Sequence, residues 1–243
     1  YCYDYETMKA AAEPLDGPTI RRMQALAGEL GVHLMAPVMR TAGTGIVENT
    51  AVLIDDEGQI LGHYSKSHLV GNEQLHLNRG KSFPVFQTKY GKVGIVICYD
   101  ICFPETTRIL ALAGADLILC PSAWRDGSYF RDWLNKVSEV RALDNNVFVA
   151  LVNYTGELPD SPFCGCSQVI SPIGEVLGRC RRKNIIPGDR HGSRPRDADG
   201  KYRDDRPPSR ALLADCGSIE TRRRDSVWTN RDFSIAATRA ESS

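Results

Sequence analysis

Cys98 is the residue whose type and position best suit covalent chemistry. It follows residues 93–97, an apolar run rich in β-branched side chains that is typical of a strand buried on both faces. Pro104 suits the first turn of a helix, and Glu105 places a negative charge near that helix's positive end. A cysteine between a strand end and a helix start is expected to expose its thiol and favour the thiolate. The alternative is a buried structural cysteine, because free cysteine is often buried, but the flanking signals favour a nucleophile.

Helix and strand signals before Cys98 lead into a polar segment that holds further candidate residues. Apolar residues recur at helical spacing between Asp16 and Leu30, and Gly31 suits the end of a helix. The strands are expected at residues 33–39, 48–54 and 59–64. The turn at Asp55–Gly58 predicts that the last two strands form a hairpin. Lys66 follows the third strand, and its alternative is an ordinary solvated lysine.

After Cys98 the chain continues to alternate between helix and strand signals. The helices are expected at residues 105–114 and 130–145, the strands at residues 116–124, 147–152 and 211–215, and a hairpin at residues 165–178. This spacing predicts a layered α/β fold rather than an all-helical one. Residues 189–210 are dense in Arg, Asp, Gly and Pro, which predicts a mobile surface insertion. We expect residues 1–243 to form a single domain.

Composition gives no support for a nucleic-acid or membrane partner, or for a metal site. Lys plus Arg and Asp plus Glu both number 30, so net charge gives no argument for nucleic acid or a membrane surface. No apolar run approaches the roughly 20 residues of a membrane helix. The eight cysteines form no compact framework, which favours a reduced, cytoplasmic protein. The pairs Cys164-x-Cys166 and Cys98-x-x-x-Cys102 lack a second pair at zinc-site spacing, so we expect no metal.

Several of these segments together resemble the nitrilase or carbon–nitrogen hydrolase superfamily. Cys98–Asp100, followed by Phe103–Glu105, is similar to the nucleophile segment of its amidase and N-carbamoyl hydrolase branches. Tyr64–Leu69 matches the family's Tyr-x-Lys-x-His-Leu pattern, while Pro121–Trp124 and Arg141–Asn145 resemble its Pro-Ser-Ala-Trp and Arg-Ala-x-x-Asn segments. The resemblance covers nearly all of the chain apart from the insertion. It implies the nitrilase-like four-layer α-β-β-α sandwich.

The resemblance also implies a reaction, the hydrolysis of a non-peptide carbon–nitrogen bond in a small amide or N-carbamoyl compound. Cys98 would attack the carbonyl or carbamoyl carbon and form a thioester-type intermediate, which water then hydrolyses. Lys66 would stabilise the oxyanion, aided by the backbone N–H of Tyr99. Glu73 fits the family's second carboxylate, which orients the lysine and lines the pocket, although an exposed loop glutamate is the alternative. The resemblance implies no cofactor. It does imply a homodimer or a larger assembly.

The first glutamate of the family's Glu-Lys-Cys triad has no match in this sequence. In relatives it belongs to a strand-end Pro-Glu pair, upstream of residues that Tyr1–Asp4 resemble. Glu6 and Glu13 are poor substitutes because neither follows a buried strand. The expectation is therefore a chain truncated before Tyr1, without its first strand, first helix and general base.

The substrate and the competing functions are less closely defined. Trp124 and Arg125 are candidate pocket-edge residues, and an arginine there would suit an acidic substrate, although packing and a surface ion pair are equally compatible. Cys102 stands where many relatives have arginine, which weakens assignment to one branch.

One alternative function is a non-catalytic member of the fold that acts through oligomer contacts. Another is a Cys-His hydrolase using His68 or His33, although no cysteine-protease signature surrounds Cys98. The resemblance instead makes His68 a packing or orienting residue.

Overall fold

The computed structural model describes residues 5–155, 157–158 and 161–180. The helices are α1 (Tyr5–Ala10), α2 (Pro18–Leu30), α3 (Glu73–His76), α4 (Pro104–Leu112) and α5 (Ser128–Asn145), with a 3₁₀ helix at Cys98–Cys102. The strands are β1 (Leu34–Gly43), β2 (Ile46–Ile54), β3 (Ile60–Ser65), β4 (Val85–Thr88), β5 (Gly91–Ile95), β6 (Leu117–Ser122), β7 (Phe148–Asn153), β8 (Glu157–Leu158), β9 (Ser161–Pro162), β10 (Gln168–Ile170) and β11 (Val176–Arg179). The insertion predicted at 189–210 and the strand predicted at 211–215 lie outside the described residues.

Two β-sheets pack face to face at the centre of the fold. One is antiparallel with the order β1-β2-β3, and the other has six strands in the order β11-β10-β7-β6-β5-β4. Within the six-stranded sheet, β5, β6 and β7 run parallel, so their carboxyl ends share one edge. Leu53 and Tyr64 of the three-stranded sheet pack with Ile95 and Ile97 in the core between the sheets. The edge at the end of β5 is where Cys98 lies.

Helices cover the outer face of each sheet. Ile20 of α2 packs against Val52 of the three-stranded sheet. On the far side, Leu110 of α4 and Leu134 of α5 pack against Ile118 of the six-stranded sheet. The order helix, sheet, sheet, helix confirms the four-layer α-β-β-α architecture.

The ends of the elements follow local chemistry, and the largest difference from expectation is at the end of β1. Gly31 ends α2 in the left-handed conformation, at φ 63°, and its N–H donates to Ala27 O, as the sequence predicts. β1 extends to Gly43 and forms a hairpin with β2, whereas the pattern predicted a strand ending at Met39. The added residues pair through backbone hydrogen bonds, which a hydrophobic pattern does not report. Within the described residues, no helix has both the length and the hydropathy needed to cross a bilayer.

Candidate active site

Cys98 begins the 3₁₀ helix Cys98–Cys102, called the cysteine turn below. Pairing between β5 and β6 continues almost to this point, since Val96 N donates to Leu119 O at 3.0 Å. The backbone of Cys98 is left-handed, with φ 51°. This conformation is uncommon for a residue with a side chain, costs on the order of 1–3 kcal/mol, and occurs preferentially at functional sites. The strain is a second signal, independent of motif, that Cys98 is functional.

The thiol environment corrects the expectation of an exposed, acidic cysteine. Cys98 is only 5% exposed and lies in the core between the sheets, with Trp124 packed against the same cluster. Burial raises the pKa of its thiol, while the positive charge of Lys66 and a backbone hydrogen bond from Ala123 act in the opposite direction. The cysteine turn also separates Cys98 from the start of α4 at Pro104. The sequence predicted where the strand ends but not which side chains bury the Cys98 thiol.

Lys66 is buried rather than solvated. Its side chain has 0% exposure, and Nζ lies 2.7 Å from Glu73 Oε2. The backbone fixes its position from both sides, because Lys66 N donates to Asn49 O at 2.8 Å and Gly80 N donates to Lys66 O at 2.9 Å. Among the side-chain charges acting on the Cys98 thiol, that of Lys66 has the largest effect. The structure thus brings Lys66 and Cys98 to one site.

Glu73 is the first residue of α3 and is buried, which replaces the alternative of an exposed loop glutamate. Oε2 accepts from Lys66 Nζ and from Val70 N at 2.9 Å. Oε1 accepts from Asn49 Nδ2 at 3.0 Å. The carboxylate is therefore held in one orientation, directed at the lysine. Asn49, in β2, has no assigned role in the sequence analysis.

Asp100 connects the cysteine turn to the loop that carries Lys66, and sequence reasoning missed this role. Its buried Oδ2 accepts from Ile97 N at 2.9 Å and from the Tyr64 hydroxyl at 2.8 Å. Oδ1 accepts from His68 N at 2.8 Å and lies 2.9 Å from His68 Nδ1. Both oxygens are thus engaged twice. An aspartate two residues after a strand-end cysteine was the available signal, but its partners His68 and Tyr64 are 32 and 36 positions away.

His68 serves as one of these partners. Its ring stacks on Phe103, with centroids 3.9 Å apart, and Nδ1 faces Asp100. The aromatic contact and the hydrogen bond hold the imidazole against the cysteine turn. The orienting role that the resemblance implies for His68 stays a prediction.

Arg141 of α5 holds the other end of the cysteine turn. Nε donates to Ile101 O at 3.0 Å, and Nη2 donates to Cys102 O at 2.9 Å. The guanidinium is largely buried, with Asp144 Oδ2 3.7 Å from Nη1. The Arg-Ala-x-x-Asn segment marked Arg141 in the sequence, but its contact with the cysteine turn was not anticipated.

The remaining candidates differ in how closely they approach this site. Tyr99 lies within the cysteine turn and is half-buried, with its ring edge-on to Phe103. Trp124 is half-buried, packs against the cluster that contains Cys98, and donates its backbone N–H to Asn153 Oδ1 at 2.7 Å. Arg125 is exposed and forms a single-residue β-bridge with Phe163. In the described part of the chain, no group of three or more His, Cys, Asp or Glu side chains could hold a metal ion.

Comparison with known proteins identifies the class to which this fold and site belong. A family model for carbon–nitrogen hydrolase matches residues 1–186. The chain belongs to the carbon–nitrogen hydrolase family.

Individual relatives include amidases and nitrilases. A probable nitrilase of Schizosaccharomyces pombe is 35% identical over 164 residues, which cover 67% of this chain and 60% of the relative. An N-carbamoylputrescine amidase of Solanum lycopersicum is 34% identical over 226 residues, which cover 81% of this chain and 73% of that enzyme. The chain therefore spans less than two thirds of the length of the first of these relatives.

Solved structures with the same fold include an amidase variant from Nesterenkonia sp. AN1. It superposes with a TM-score of 0.63 at 27% identity, over 74% of this chain and 65% of the amidase. That structure shows covalent addition of the acetamide moiety of fluoroacetamide at the active site cysteine of the amidase. The match confirms the nitrilase-like fold of the present chain.

Proposed function

We propose that this chain carries the cysteine and lysine of an amidase site that hydrolyses a small amide or N-carbamoyl compound. The observation that carries the proposal is the buried Lys66–Glu73 ion pair beside the strained Cys98 at the end of β5. A buried cation next to a thiol can stabilise both a thiolate and the oxyanion that forms when the thiolate attacks a carbonyl. Carbon–nitrogen hydrolysis is the chemistry named for the family.

The reaction would run in two halves. Cys98 Sγ attacks the carbonyl carbon, and its proton passes through a general base to the departing nitrogen, which leaves as ammonia or an amine. Lys66 Nζ stabilises the oxyanion, and the N–H of Tyr99, in the first turn of the 3₁₀ helix, would be a second donor. Water, activated by the same base, then attacks the thioester carbon and releases the acid and the thiol. Glu73 orients Lys66 throughout.

A general base is required because burial raises the pKa of the Cys98 thiol. Among the described residues, the carboxylates of Glu73 and Asp100 act electrostatically on Cys98, and both already accept several hydrogen bonds. Neither is well placed to take a proton. Glu13 is also occupied, since its carboxylate accepts from Thr19 N and Ile20 N at the start of α2. Glu73, Asp100 and Glu13 are therefore all engaged in other contacts.

The Cys-His alternative has less support. His68 directs Nδ1 at Asp100 and stacks on Phe103, so its contacts are those of an orienting side chain. His33 immediately precedes β1, and its Nδ1 is 3.6 Å from Asp56 Oδ1. Lys66 has a larger electrostatic effect on the Cys98 thiol than any other side chain.

A homo-oligomer is part of the proposal. Exposed apolar side chains lie on α4 and α5, among them Leu112 at 80% and Leu143 at 57% exposure. Exposed apolar surface on these helices is available for an interface between copies of the chain. Light scattering on the purified protein should therefore give a mass above that of one chain, and a monomeric mass would contradict this part of the proposal.

The substrate class follows from the relatives and from the site. N-carbamoyl amines and small ω-amides are the first compounds to test, because relatives are named N-carbamoylputrescine amidase and 2-oxoglutaramate amidase. Exposed Arg125 would favour an acidic substrate if it borders the pocket. The non-catalytic alternative predicts no turnover of any of them.

The test is ammonia release from a panel of amides and N-carbamoyl compounds. Cys98→Ala should abolish turnover, while Cys102→Ala and Cys120→Ala should retain most of it. Mass spectrometry of the quenched reaction should find the acyl group on the peptide that contains Cys98. Acylation of a different cysteine, or unchanged turnover in Cys98→Ala, would overturn the assignment.

A further inference from the structure

Cys164 and Cys166 form a pair of free thiols that the proposed reaction does not use. They flank Gly165 in the loop between β9 and β10. Cys164 is buried, whereas Cys166 is partly exposed. One residue of the pair is therefore partly accessible to a small reagent, and the other is closed to solvent.

The backbone turns sharply between the two cysteines. Gly165 and Cys166 both have left-handed conformations, with φ 62° and 60°. Cys166 Sγ donates to Cys164 O at 3.3 Å, and the Cys164 thiol is close enough to act on the pKa of Cys166. A disulfide needs its two Cα atoms within about 4.4–6.8 Å and its sulfur atoms in contact. A sharp turn that places the Cys166 thiol against the backbone of Cys164 favours that arrangement.

The surroundings give the two thiols different reactivity. The hydrogen bond from Cys164 acts most strongly to lower the pKa of Cys166, and the positive charges of Arg131 and Arg179 act in the same direction. The same hydrogen bond and burial raise the pKa of Cys164. Cys166 is thus the thiol that reacts first, and Cys164 the one positioned to follow.

We propose that Cys164 and Cys166 are an oxidisable dithiol, converted to a disulfide by a hydroperoxide. The Cys166 thiolate attacks a peroxide oxygen, the O–O bond breaks, and the products are a sulfenic acid on Cys166 and water or an alcohol. Cys164 sulfur then attacks the sulfenic sulfur, so that an S–S bond forms, the S–O bond breaks, and water leaves. The two thiols lose two electrons and the peroxide gains them.

Oxidation would be transmitted towards Trp124 through Asn153. Asn153 Nδ2 donates to Cys164 Sγ at 3.1 Å, and its Oδ1 accepts from Trp124 N at 2.7 Å. Cys164 N also donates to Trp124 O at 3.0 Å. A disulfide would draw Cys164 Sγ away from Asn153 and shift these contacts. This effect on the pocket edge rests on the proposed function, whereas formation of the disulfide does not.

The primary test measures the disulfide itself. The protein is treated with hydrogen peroxide, alkylated with N-ethylmaleimide under denaturing conditions, digested and analysed by mass spectrometry. The peptide with Cys164 and Cys166 should lose two hydrogen masses and take up no label, and dithiothreitol should restore labelling of both. Cys120→Ala and Cys180→Ser should behave as wild type. In Cys166→Ser, Cys164 should remain labelled.

Several outcomes would overturn the inference. These are double alkylation of wild-type Cys164 and Cys166 after peroxide, a disulfide to Cys180 instead, or oxidation of Cys166 only to sulfinic acid. If Cys166→Ser does not fold, labelling rates of the untreated wild type replace it, and Cys166 should react at least ~10-fold faster than Cys120 at neutral pH. Equal rates would contradict the proposed order of reaction.

The effect on the pocket is tested separately, by ammonia release before and after oxidation. Wild type should lose turnover in peroxide and regain it in dithiothreitol, while Cys166→Ser should lose much less. Equal loss in both proteins would point to oxidation elsewhere, such as at Cys98, and would overturn the link through Asn153. The disulfide measurement stands whether or not the chain turns over an amide.

Discussion

Lys66 and Glu73 form an ion pair whose atoms, Nζ and Oε2, lie 2.7 Å apart in a region closed to solvent. Burial of two charges is costly, and a pair of well-packed apolar side chains is often equally stable or more so. The presence of this ion pair is therefore not explained by its contribution to the stability of the fold. The electrostatic effect of Lys66 on the Cys98 thiol is a better explanation.

Replacing one partner of the Lys66–Glu73 ion pair should destabilise the protein more than replacing both partners. Lys66→Met removes the cation that pairs with a buried carboxylate, and Glu73→Leu removes the carboxylate that pairs with a buried ammonium, so each should lower the free energy of unfolding by about 3–5 kcal/mol. The double variant Lys66→Met/Glu73→Leu should recover most of that loss and still lack turnover. Urea unfolding and ammonia release measure the two properties. A double variant as unstable as the sum of the single changes would mean that the charges are stabilised independently.

The relative cost of removing Lys66 and His68 separates the two mechanisms. Lys66→Ala should lower kcat at least ~10²-fold, the usual scale for loss of an oxyanion donor. His68→Ala should lower kcat much less, because the ring orients and does not touch the substrate. Circular dichroism on both variants controls for unfolding. The reverse ranking in folded variants would favour a Cys-His enzyme.

The Cys98 thiol should show an alkaline pH dependence. Its folded pKa is raised above the ordinary value of 9.0, so alkylation by iodoacetamide should continue to increase as the pH passes 9. Cys166, whose pKa is lowered, should reach its maximal rate at a lower pH. Peptide mapping over a pH series gives both profiles. Faster labelling of Cys98 than of Cys166 at neutral pH would contradict the effect of burial.

The raised pKa of the Cys98 thiol also makes the free energy of unfolding depend on pH. A thiol whose folded pKa exceeds its unfolded value favours the folded state below pH 9, and this contribution is lost as the pH rises through the folded pKa. The unfolding free energy of the wild type should therefore decrease in the alkaline range. Cys98→Ala should show a smaller decrease, and an identical pH profile in both proteins would argue against a raised pKa.

The sequence predicted the parts of the site that local pattern determines. The run before Cys98 and the strand before Lys66 marked both residues, because strand ends are visible as changes from apolar to polar side chains. It did not reveal that Cys98 is buried, since that depends on Trp124 and on the opposing sheet. The partners of Asp100 were also hidden, as Tyr64 lies 36 positions away. Contacts of this kind depend on how the sheets pack, which no local spacing specifies.

Asp100 should act by positioning rather than by contact with substrate. In Asp100→Asn, an amide nitrogen replaces one carboxylate oxygen. The donors that this oxygen accepted from then lack an acceptor, so the cysteine turn and the loop that carries Lys66 should separate. We expect kcat to fall by ~10²-fold, because small displacements of reacting groups have effects of that size. KM should change much less. Tyr64→Phe and His68→Ala each remove one donor and should give smaller losses.

A positioning role for Asp100 also predicts dependence on Lys66. Adding Asp100→Asn to Lys66→Ala should cost little further activity, since the lysine whose placement it controls is already absent. Fully additive losses would show that Asp100 acts elsewhere, for example on stability alone. The unfolding free energy of each variant, measured in urea, separates the two cases.

Arg141 should control the reactivity of Cys98 from the far end of the cysteine turn. Its guanidinium donates to Ile101 O and Cys102 O at once, which a lysine ammonium in the same place cannot match in geometry. Arg141→Lys keeps the charge and should lower both kcat and the alkylation rate of Cys98 by ~10-fold. Arg141→Met should lower them further, because two buried carbonyls then lose their donors.

The matched control is Arg108→Lys, since Arg108 is exposed on α4 and should tolerate the change. Thermal unfolding of all three variants shows how far each loss reflects instability. If Arg141 only stabilised the fold, Arg141→Lys would lower the melting temperature but leave the alkylation rate of Cys98 unchanged at a temperature where the protein is folded. A slower rate at that temperature, with KM for substrate unchanged, means that the two hydrogen bonds hold the cysteine in its reactive position.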